Sequence, residues 1–323
     1  MQIEVKGLTK TYTTYNRGST FKDVAKSIFY RKATEVKALK GIDFSIDKGE
    51  LVGFLGPNGA GKSTTLKILT GVLFPSAGEV SVMNFIPWKQ RQKYVSHIGA
   101  VFGQKSQLIW DIPPVDSFVM NQAIYRIPDM QFRSTLDRLT EMLSIKDQIK
   151  QPTRNLSLGE RMKCEFIMAM LHSPKIVFLD EPTIGLDIIA KDKIREFILE
   201  MNRSGVTIIL TTHDLAEVER LAQRVILINH GTIVFDNGIE SLKSHFGAKK
   251  IFSLATREPF EFKAQPGLTL LRQLSPTDIE LECDIDIIDL ATVIRDIAEQ
   301  YGLRDLSIQA LPIEQVVKEL YKN

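Results

Sequence analysis

The chain has 323 residues, and the usual size of a domain predicts two domains for that length. Its 41 Lys and Arg nearly balance 39 Asp and Glu, and the net charge of +2 argues against a protein built mainly to bind nucleic acid. The 44% of hydrophobic and 25% of charged residues are typical of a globular protein. No apolar run approaches the ~20 residues that cross a bilayer, and there is no signal-peptide pattern. The 2 cysteines are too few for a disulfide scaffold. We expect a soluble, two-domain protein of a reducing compartment.

Strands alternate with helices through the first part of the chain. The predicted elements are strands at 3–8, 40–46, 51–55, 175–179 and 206–210, and helices at 64–70 and over most of 115–150. Several of these strands are apolar without alternation, as expected for strands that are covered on both faces. The pattern indicates an α/β fold with a largely parallel sheet, and the helix-rich residues 105–165 form an insertion into it.

The last part of the chain has a different pattern. After Gly247 the sequence predicts strand, strand, helix, strand and helix, with alternating segments at 251–254 and 279–283 and an amphipathic helix at 287–301. The net charge is +6 over residues 1–247 and −4 over 248–323. We therefore expect a small C-terminal α+β domain at 246–323, after a first domain at 1–245.

A glycine-rich loop lies between the buried strand at 51–55 and the following helix. The loop, Gly56-Pro57-Asn58-Gly59-Ala60-Gly61-Lys62-Ser63, matches the pattern G-x-x-x-x-G-K-[ST]. Its backbone N–H groups and the helix N-terminus favour phosphate oxygens. In such a loop Lys62 reaches the β- and γ-phosphates and the Ser63 hydroxyl binds Mg²⁺. The predicted nucleotide-binding residues here are Gly56, Asn58, Gly59, Ala60, Gly61, Lys62, Ser63 and Thr64.

Two acidic residues follow the buried strand at 175–179. Adjacent carboxylates at the end of a buried strand are costly unless a cation or a substrate compensates them. Asp180 is the expected Mg²⁺ partner, direct or through water, and Glu181 is placed to polarise the attacking water.

With these motifs in place, residues 1–243 resemble the nucleotide-binding subunits of ATP-binding cassette (ABC) transporters. The signature of that family, usually L-S-G-G-Q, is present as Leu156-Ser157-Leu158-Gly159-Glu160, with Leu158 and Glu160 as departures. The resemblance implies that Ser157 and Gly159 contact the γ-phosphate of ATP held by an opposing subunit. The implied fold class is a P-loop NTPase (ABC ATPase) core with a helical subdomain.

The resemblance also implies roles for further residues. Gln104 corresponds to the glutamine that joins the core to the helical insertion and senses Mg²⁺ and the γ-phosphate, which makes it a candidate catalytic and metal residue. His213 corresponds to the switch histidine that contacts the γ-phosphate, and Gly185-Leu186-Asp187 to the loop through which the two subunits communicate. Tyr12 corresponds to the aromatic residue that stacks on adenine, and Tyr15 competes for that role.

Together these roles predict an ATPase with ATP and Mg²⁺ as cofactors. Glu181 is the catalytic base, and Lys62, His213 and Gln104 complete the catalytic set. Two copies of the chain would pair head to tail around two ATP molecules, and integral membrane permease subunits would receive the motion. The C-terminal domain and the sequence of the signature segment resemble those of bacterial exporter-type ATPases, whose membrane subunits are separate chains. This resemblance implies a location at the cytoplasmic face of the membrane.

Two other classes of function stay open. A soluble ABC ATPase acting on ribosomes or nucleic acid is the main alternative, although the chain has one cassette, no cysteine cluster and little net charge. A regulatory module that holds ATP without turnover is the third, and the presence of both Glu181 and His213 argues against it.

The basic stretch at 13–36 carries a separate hypothesis. Phe21, Val24, Ile28 and Phe29 are spaced as on one helix face, with basic residues around them. They predict a short amphipathic helix that approaches the bilayer or a membrane subunit. The alternative, a helix packed on its own domain with solvated lysines, stays open.

Overall fold

The computed structural model of the chain describes residues 1–15, 33–103, 105–245 and 249–310. By its internal contacts the chain forms two compact units, Met1–Asp236 and Asn237–Asn323. The boundary predicted from the sequence, after residue 245, lies nine residues beyond the end of the first unit.

Thirteen strands and nine helices are found in the described residues. The strands are β1 (Ile3–Tyr15), β2 (Ala33–Ile46), β3 (Leu51–Leu55), β4 (Ala77–Val82), β5 (Ile98–Phe102), β6 (Ile176–Asp180), β7 (Thr207–Thr212), β8 (Arg224–Asn229), β9 (Thr232–Gly238), β10 (Lys249–Thr256), β11 (Leu268–Gln273), β12 (Asp278–Asp284) and β13 (Leu303–Ala310). The helices are α1 (Lys62–Leu69), α2 (Arg91–Tyr94), α3 (Pro114–Tyr125), α4 (Asp129–Met142), α5 (Leu158–Met170), α6 (Ile188–Arg203), α7 (Leu215–Leu221), α8 (Ile239–His245) and α9 (Leu290–Tyr301).

The centre of the first unit is a six-stranded sheet with the order β5-β6-β7-β3-β8-β9. Each adjacent pair from β5 to β8 is parallel. The register sets Phe102 beside Asp180, Asp180 beside Thr211, and Leu55 beside Thr212. The carboxyl ends of β3, β5, β6 and β7 therefore meet at one edge, which is where open α/β sheets bind their ligands.

A second sheet, with the antiparallel order β2-β1-β4, closes the core of this unit. One cluster of buried side chains joins both sheets and helix α1, in which Leu66, Ile68 and Leu69 are fully buried. Phe44 of β2 meets Phe54 of β3 edge to face, with ring centroids 5.1 Å apart. Helix α1 lies within this cluster, so the loop before it is fixed from both sides.

Helices α3, α4 and α5 lie between β5 and β6 in the sequence. Helix α5 begins with a capping box: the Ser157 hydroxyl accepts from the Glu160 N–H, and the Glu160 carboxylate accepts from the Ser157 N–H. This pairing needs an acceptor at position 160, which Glu supplies as well as Gln. The departure at position 160 is therefore compatible with the helix start.

The second unit is a four-stranded antiparallel sheet with the order β11-β12-β10-β13 and helix α9. Alternate residues of β10 and β12, among them Phe252, Leu254 and Leu281, share a core with Val293 and Ile297 of α9. Asp289 caps α9 by accepting from the Thr292 N–H at 3.0 Å. The sequence predicts a small α+β unit here, and the helix that it predicts after the last strand lies outside the described residues.

Several local predictions were incomplete. The strand predicted at 3–8 continues to Tyr15, because exposed polar residues there pair with β2 as far as Ala33. Strand β11 is an additional strand that the sequence analysis did not predict, because its register is broken between Leu270 and Arg272 and its alternation is lost. The amphipathic segment predicted around residues 21–29 lies outside the described residues.

Two further features concern the whole chain. The cysteines Cys164 and Cys283 are fully buried, one in each unit. Within the part of the chain that the structure describes, no helix is both long and apolar enough to span a membrane.

Candidate functional site

The glycine-rich loop connects the fully buried strand β3 to helix α1. Gly61 has a φ of 116°, and a Cβ there would lie 2.8 Å from Leu39 Cδ2 and 2.9 Å from the Ala38 carbonyl oxygen. Only glycine tolerates both the conformation and the close approach. Gly61 also offers no side chain to cap the helix, so the first N–H groups of α1 are directed to a ligand in the loop.

Lys62 lies at the base of this loop with 5% of its surface exposed. Its Nζ donates to the Gly56 carbonyl at 2.6 Å and to the Pro57 carbonyl at 3.2 Å, and lies 3.7 Å from Glu181 Oε1. Burial lowers the pKa of Lys62, while Glu181 and Asp180 oppose that shift. The loop thus holds a cation whose partners are mostly backbone carbonyls.

Ser63 and Asp180 bring two oxygen ligands together. The Ser63 hydroxyl donates to Asp180 Oδ1 at 2.9 Å, and the Thr211 hydroxyl donates to the same oxygen at 2.6 Å. Two adjacent ligands of an octahedral Mg²⁺, each about 2.1 Å from the ion, are about 3 Å apart, so the spacing fits. Among the described residues no cluster of three His, Cys, Asp or Glu offers another metal site.

Glu181 links the other charged groups of the site. Its φ of 52° is in the left-handed region, which a non-glycine residue seldom adopts. Its N–H donates to the Thr211 carbonyl at 3.0 Å, which holds the backbone in that conformation. Its Oε2 lies 2.7 Å from His213 Nδ1. The carboxylate therefore lies between Lys62 and His213, and such strain at a polar cluster is typical of functional sites.

These residues line a cavity of about 340 Å³ at the carboxyl ends of the parallel strands. Of the predicted residues, the cavity is lined by Asn58, Gly59, Ala60, Gly61, Lys62, Ser63, Thr64, Asp180, Glu181 and His213. Lys67 and Lys105 add positive charge to the lining and were not predicted. The cationic side chains and the loop N–H groups suit a polyphosphate.

A larger cavity of about 780 Å³ lies at the opposite ends of the same strands, where Lys175 and Val206 precede β6 and β7. It contains none of the predicted site residues. Ligands of open α/β sheets bind at the carboxyl ends. The smaller cavity, which holds the convergent polar groups, is therefore the candidate functional site.

The signature residues lie elsewhere. Ser157 and Gly159 are not among the residues that line the cavity. A Cβ on Gly159 would lie 2.9 Å from the Ala190 Cβ, and one on Gly185 would lie 3.2 Å from Leu158 Cδ2. The signature is thus packed against the segment at 185–190, and Leu158 makes part of that contact.

Two other predicted residues, Gly56 and Tyr12, are not among the residues that line the cavity. Tyr12 pairs with Val36 in the β1–β2 hairpin, two residues before Ala38, and is 36% exposed. The side chain of its competitor Tyr15 lies outside the described residues, as does Gln104. The neighbours of Gln104, Gly103 and Lys105, both line the cavity.

Two residues that shape the site were not predicted from the sequence. Thr211 holds both Asp180 and Glu181, as described above. Gly103 donates to the Asp180 carbonyl at 2.9 Å, and a Cβ there would lie 2.6 Å from the Glu181 carbonyl oxygen. The signal for Gly103 was present, as a glycine beside Gln104 at a strand end. Thr211 gave no signal of its own.

A phosphate loop between β3 and a helix, with an Asp-Glu pair at the end of β6, one strand removed from β3 in the same parallel sheet, defines a P-loop NTPase. Known proteins that are similar to this chain identify one family within this class. A family model described as ABC transporter matches residues 39–184. The ABC transporter ATP-binding protein NatA of Bacillus subtilis is 33% identical over 214 residues, which cover 66% of this chain and 87% of NatA. The fluoroquinolones export ATP-binding protein of Mycobacterium tuberculosis is 34% identical over 220 residues, 68% of each chain.

The fold agrees with these matches. A solved dimeric ATP-binding cassette, in a post-hydrolysis state with ADP and Pi bound, has a TM-score of 0.61 at 24% identity, over 73% of this chain and 98% of that one. The chain belongs to the ABC transporter family, as a nucleotide-binding subunit that hydrolyses ATP.

Proposed function

We propose that the chain drives a membrane exporter by closing and opening as a homodimer around two Mg²⁺-bound ATP molecules. One observation carries the proposal. Lys62, Asp180, Glu181 and His213 converge on one cavity, whereas Ser157 and Gly159 lie outside it. A single chain thus contributes the phosphate loop of one site and the signature of another. Two copies related by a two-fold axis would complete both sites.

Within each site the side chains have separate tasks. Lys62 and the N–H groups of the loop hold the phosphates. Gly56, Asn58 and Thr64 belong to the same phosphate-binding segment. Ser63 and Asp180 would hold Mg²⁺, with Gln104 as a further ligand. That ion, when bound, neutralises charge on the β- and γ-phosphate oxygens. Glu181 accepts the proton of the attacking water. His213, whose Nδ1 lies 2.7 Å from Glu181 Oε2, orients that carboxylate and contacts the γ-phosphate.

The remaining contacts follow the family pattern. Tyr12 stacks on adenine, and Ser157 and Gly159 contact the γ-phosphate of the partner's ATP. The partners that receive the motion are integral membrane permease subunits, so the chain works at the cytoplasmic face of the membrane. The export direction is supported by the relative named for fluoroquinolones export. The residues after 245 form an accessory domain, and none of its described residues lines the ATP cavity.

The replacement Glu181→Gln tests this proposal. The amide keeps the shape of the carboxylate but cannot accept the proton, so ATP hydrolysis should fall by about 10²- to 10⁴-fold. With MgATP the variant should become a stable dimer, measured as a doubling of mass by light scattering. Adding Lys62→Ala or Ser157→Ala to Glu181→Gln should each abolish the dimer, the first by loss of ATP binding and the second by loss of the opposing contact. A Glu181→Gln chain that stays monomeric at saturating MgATP contradicts the proposal.

A further inference from the structure

The segment between β5 and α3 is fastened to helix α5 by a buried carboxylate. We call residues 105–112 the connector. Glu165 of α5 is 4% exposed and accepts hydrogen bonds from two connector residues, the Ser106 hydroxyl and the Gln107 N–H, the latter at 3.0 and 3.1 Å to its two oxygens. Both oxygens of the carboxylate are therefore engaged by one short stretch of chain.

Gln107 also bonds to the parallel sheet. Its side-chain Nε2 donates to the Ala100 carbonyl in β5 at 2.7 Å. Ala100 is paired with Phe178 of β6, and Asp180 is the last residue of that strand. One residue thus bonds through its side chain to the strands of the ATP site, and through its backbone to Glu165 of α5.

Stability alone does not explain a carboxylate at position 165. Its neighbours on α5, Cys164, Phe166 and Ile167, are buried and apolar. Burial raises the pKa of Glu165, because the charged form loses its water. Arg161, one turn earlier, opposes that rise in the pKa, and its guanidinium lies over the Trp110 ring at 5.6 Å. An apolar residue would avoid the cost of desolvating a charge, so the carboxylate is explained by the contacts that it fixes.

The same helix carries the signature at its start. Ser157 caps α5, and Glu165 lies eight residues further on, about 12 Å along a rigid helix. A displacement of the connector is therefore transmitted to Ser157 when Glu165 holds the connector. Helix α5 also meets β5 at its other end, where a Cβ on Gly99 would lie 2.5 Å from the Ala169 carbonyl oxygen. Glu165 adds an attachment that lies closer to Ser157 along the helix.

We propose that Gln107 and Glu165 form a link that makes the ATP-site strands and the signature helix move together, with Glu165 as a positioning residue for Ser157. The link rests on the proposed function, because the signature acts on the partner's ATP only in the dimer. We therefore expect the link to be needed for ATP-driven closure of the dimer and not for nucleotide binding by one chain.

Two variants break the link at different points. Glu165→Gln places an amide group against the Ser106 and Gln107 donors, and Gln107→Ala removes the bond to β5 from an exposed position. Gln122→Ala is the matched control, because the Gln122 side chain bonds only to Ile127 and Asp129 within the helical subdomain. Each change is made in the full chain, with Glu181 intact and with Glu181→Gln.

Three measurements separate linkage from general damage. We expect the MgADP dissociation constant, measured by calorimetry, to stay within about twofold of wild type. Half-maximal dimer formation with MgATP in the Glu181→Gln background should need about tenfold more protein, and kcat should fall about tenfold with Glu181 intact, which is about the effect of losing one hydrogen bond. The double variant should lose no more than either single one, since both break one link.

The outcomes distinguish the two proposals. Link variants that dimerise and hydrolyse ATP like Gln122→Ala overturn the link, and so does a loss of MgADP affinity that matches the loss of dimer. If Gln107→Ala behaves normally while Glu165→Gln unfolds, Glu165 is only structural and the link falls. If Glu181→Gln alone stays monomeric with MgATP, the proposed function fails and the link fails with it.

Discussion

At the scale of single residues, Asp180 depends on a threonine of the next strand. Thr211 is fully buried, and its hydroxyl both donates to Asp180 Oδ1 and accepts from the Glu181 N–H at 3.2 Å. One side chain therefore sets the direction of the metal-site carboxylate and supports the strained backbone of Glu181. Such an outer residue orients a ligand without touching the ion.

Replacing Thr211 by Val tests this role, since Val has the same shape without the hydroxyl. The lost bond to a charged acceptor should cost about 1–3 kcal/mol of unfolding free energy. The Mg²⁺ concentration for half-maximal ATPase activity should rise by about 10-fold, the size of effect seen when outer-shell partners are removed. A Mg²⁺ titration of the ATPase rate measures it.

Two variants control that experiment. Thr211→Ser keeps the hydroxyl and should restore the Mg²⁺ dependence. Thr207→Val removes a buried hydroxyl at the other end of the same strand, where it accepts from the Gly49 N–H, and should cost stability without moving the Mg²⁺ dependence. Equal Mg²⁺ dependence in Thr211→Val and wild type would show that Asp180 does not need this support.

Residues that are neighbours in a motif can be predicted from the sequence, whereas contacts that depend on how two strands are paired cannot. Lys62 and Ser63, like Asp180 and Glu181, are neighbours in the chain, and a strand before each pair places them at one sheet edge. Thr211 reaches Asp180 only because β7 pairs with β6 in one register, and that register is a tertiary property. The sequence around Thr211 therefore does not indicate which residue of β6 lies beside it.

At the scale of elements, the end of α5 joins the helical subdomain to β5. The His172 ring stacks on Tyr125 of α3 with centroids 4.0 Å apart, and its Nε2 lies 2.8 Å from the Ile98 carbonyl oxygen of β5. Its other ring nitrogen, Nδ1, is buried without a partner. A proton there would be desolvated, and burial accordingly lowers the pKa of His172.

This shift predicts how stability depends on pH. The unfolded chain binds a proton at His172 near pH 6.5, while the folded chain binds it only at lower pH. As pH falls from 6.5 towards the folded pKa, the unfolded state therefore gains protons first and the stability of the first unit decreases. His172→Phe keeps the stacking on Tyr125 and should remove this part of the pH dependence.

Denaturant titrations at pH 7.5 and 5.5 check the prediction. His172→Phe should be less stable than wild type at pH 7.5, because the Ile98 carbonyl loses its partner, and the difference should narrow at pH 5.5. A constant difference between the two proteins would contradict the assignment of a proton-sensitive contact to His172.

The elements also show where pattern reasoning stops. Fully buried strands such as β3 and β6 were predicted within one or two residues, because their apolar runs have no other explanation. The outer part of β1 and the whole of β11 were missed. Their residues are exposed or belong to an edge, so partner strands rather than a sequence period hold them in the sheet.

At the scale of the whole molecule, the two units have separate cores and all described residues of the ATP cavity belong to the first. Nucleotide should therefore stabilise one unit selectively. Ligand at 100 times its dissociation constant adds about 2.7 kcal/mol to the state that binds it.

Differential scanning calorimetry tests this independence. We expect two unfolding transitions, of which MgADP raises the midpoint of only one. Lys62→Ala should abolish the shift and leave the other transition in place. A single transition, or two that move together with MgADP, would show that the units unfold as one.

Each unit contains one buried cysteine, so thiol labelling can report on the opening of each unit separately. Burial raises the pKa of the Cys164 thiol to about 12 and also raises that of Cys283. Since the thiolate is the reactive form, neither sulfur meets an alkylating reagent while its unit is closed. When the reagent reacts faster than the unit recloses, the rate at which each becomes labelled is the rate at which that unit opens, and peptide mass spectrometry measures the two rates in one sample. A cysteine introduced on the surface would carry a dye without removal of either native thiol.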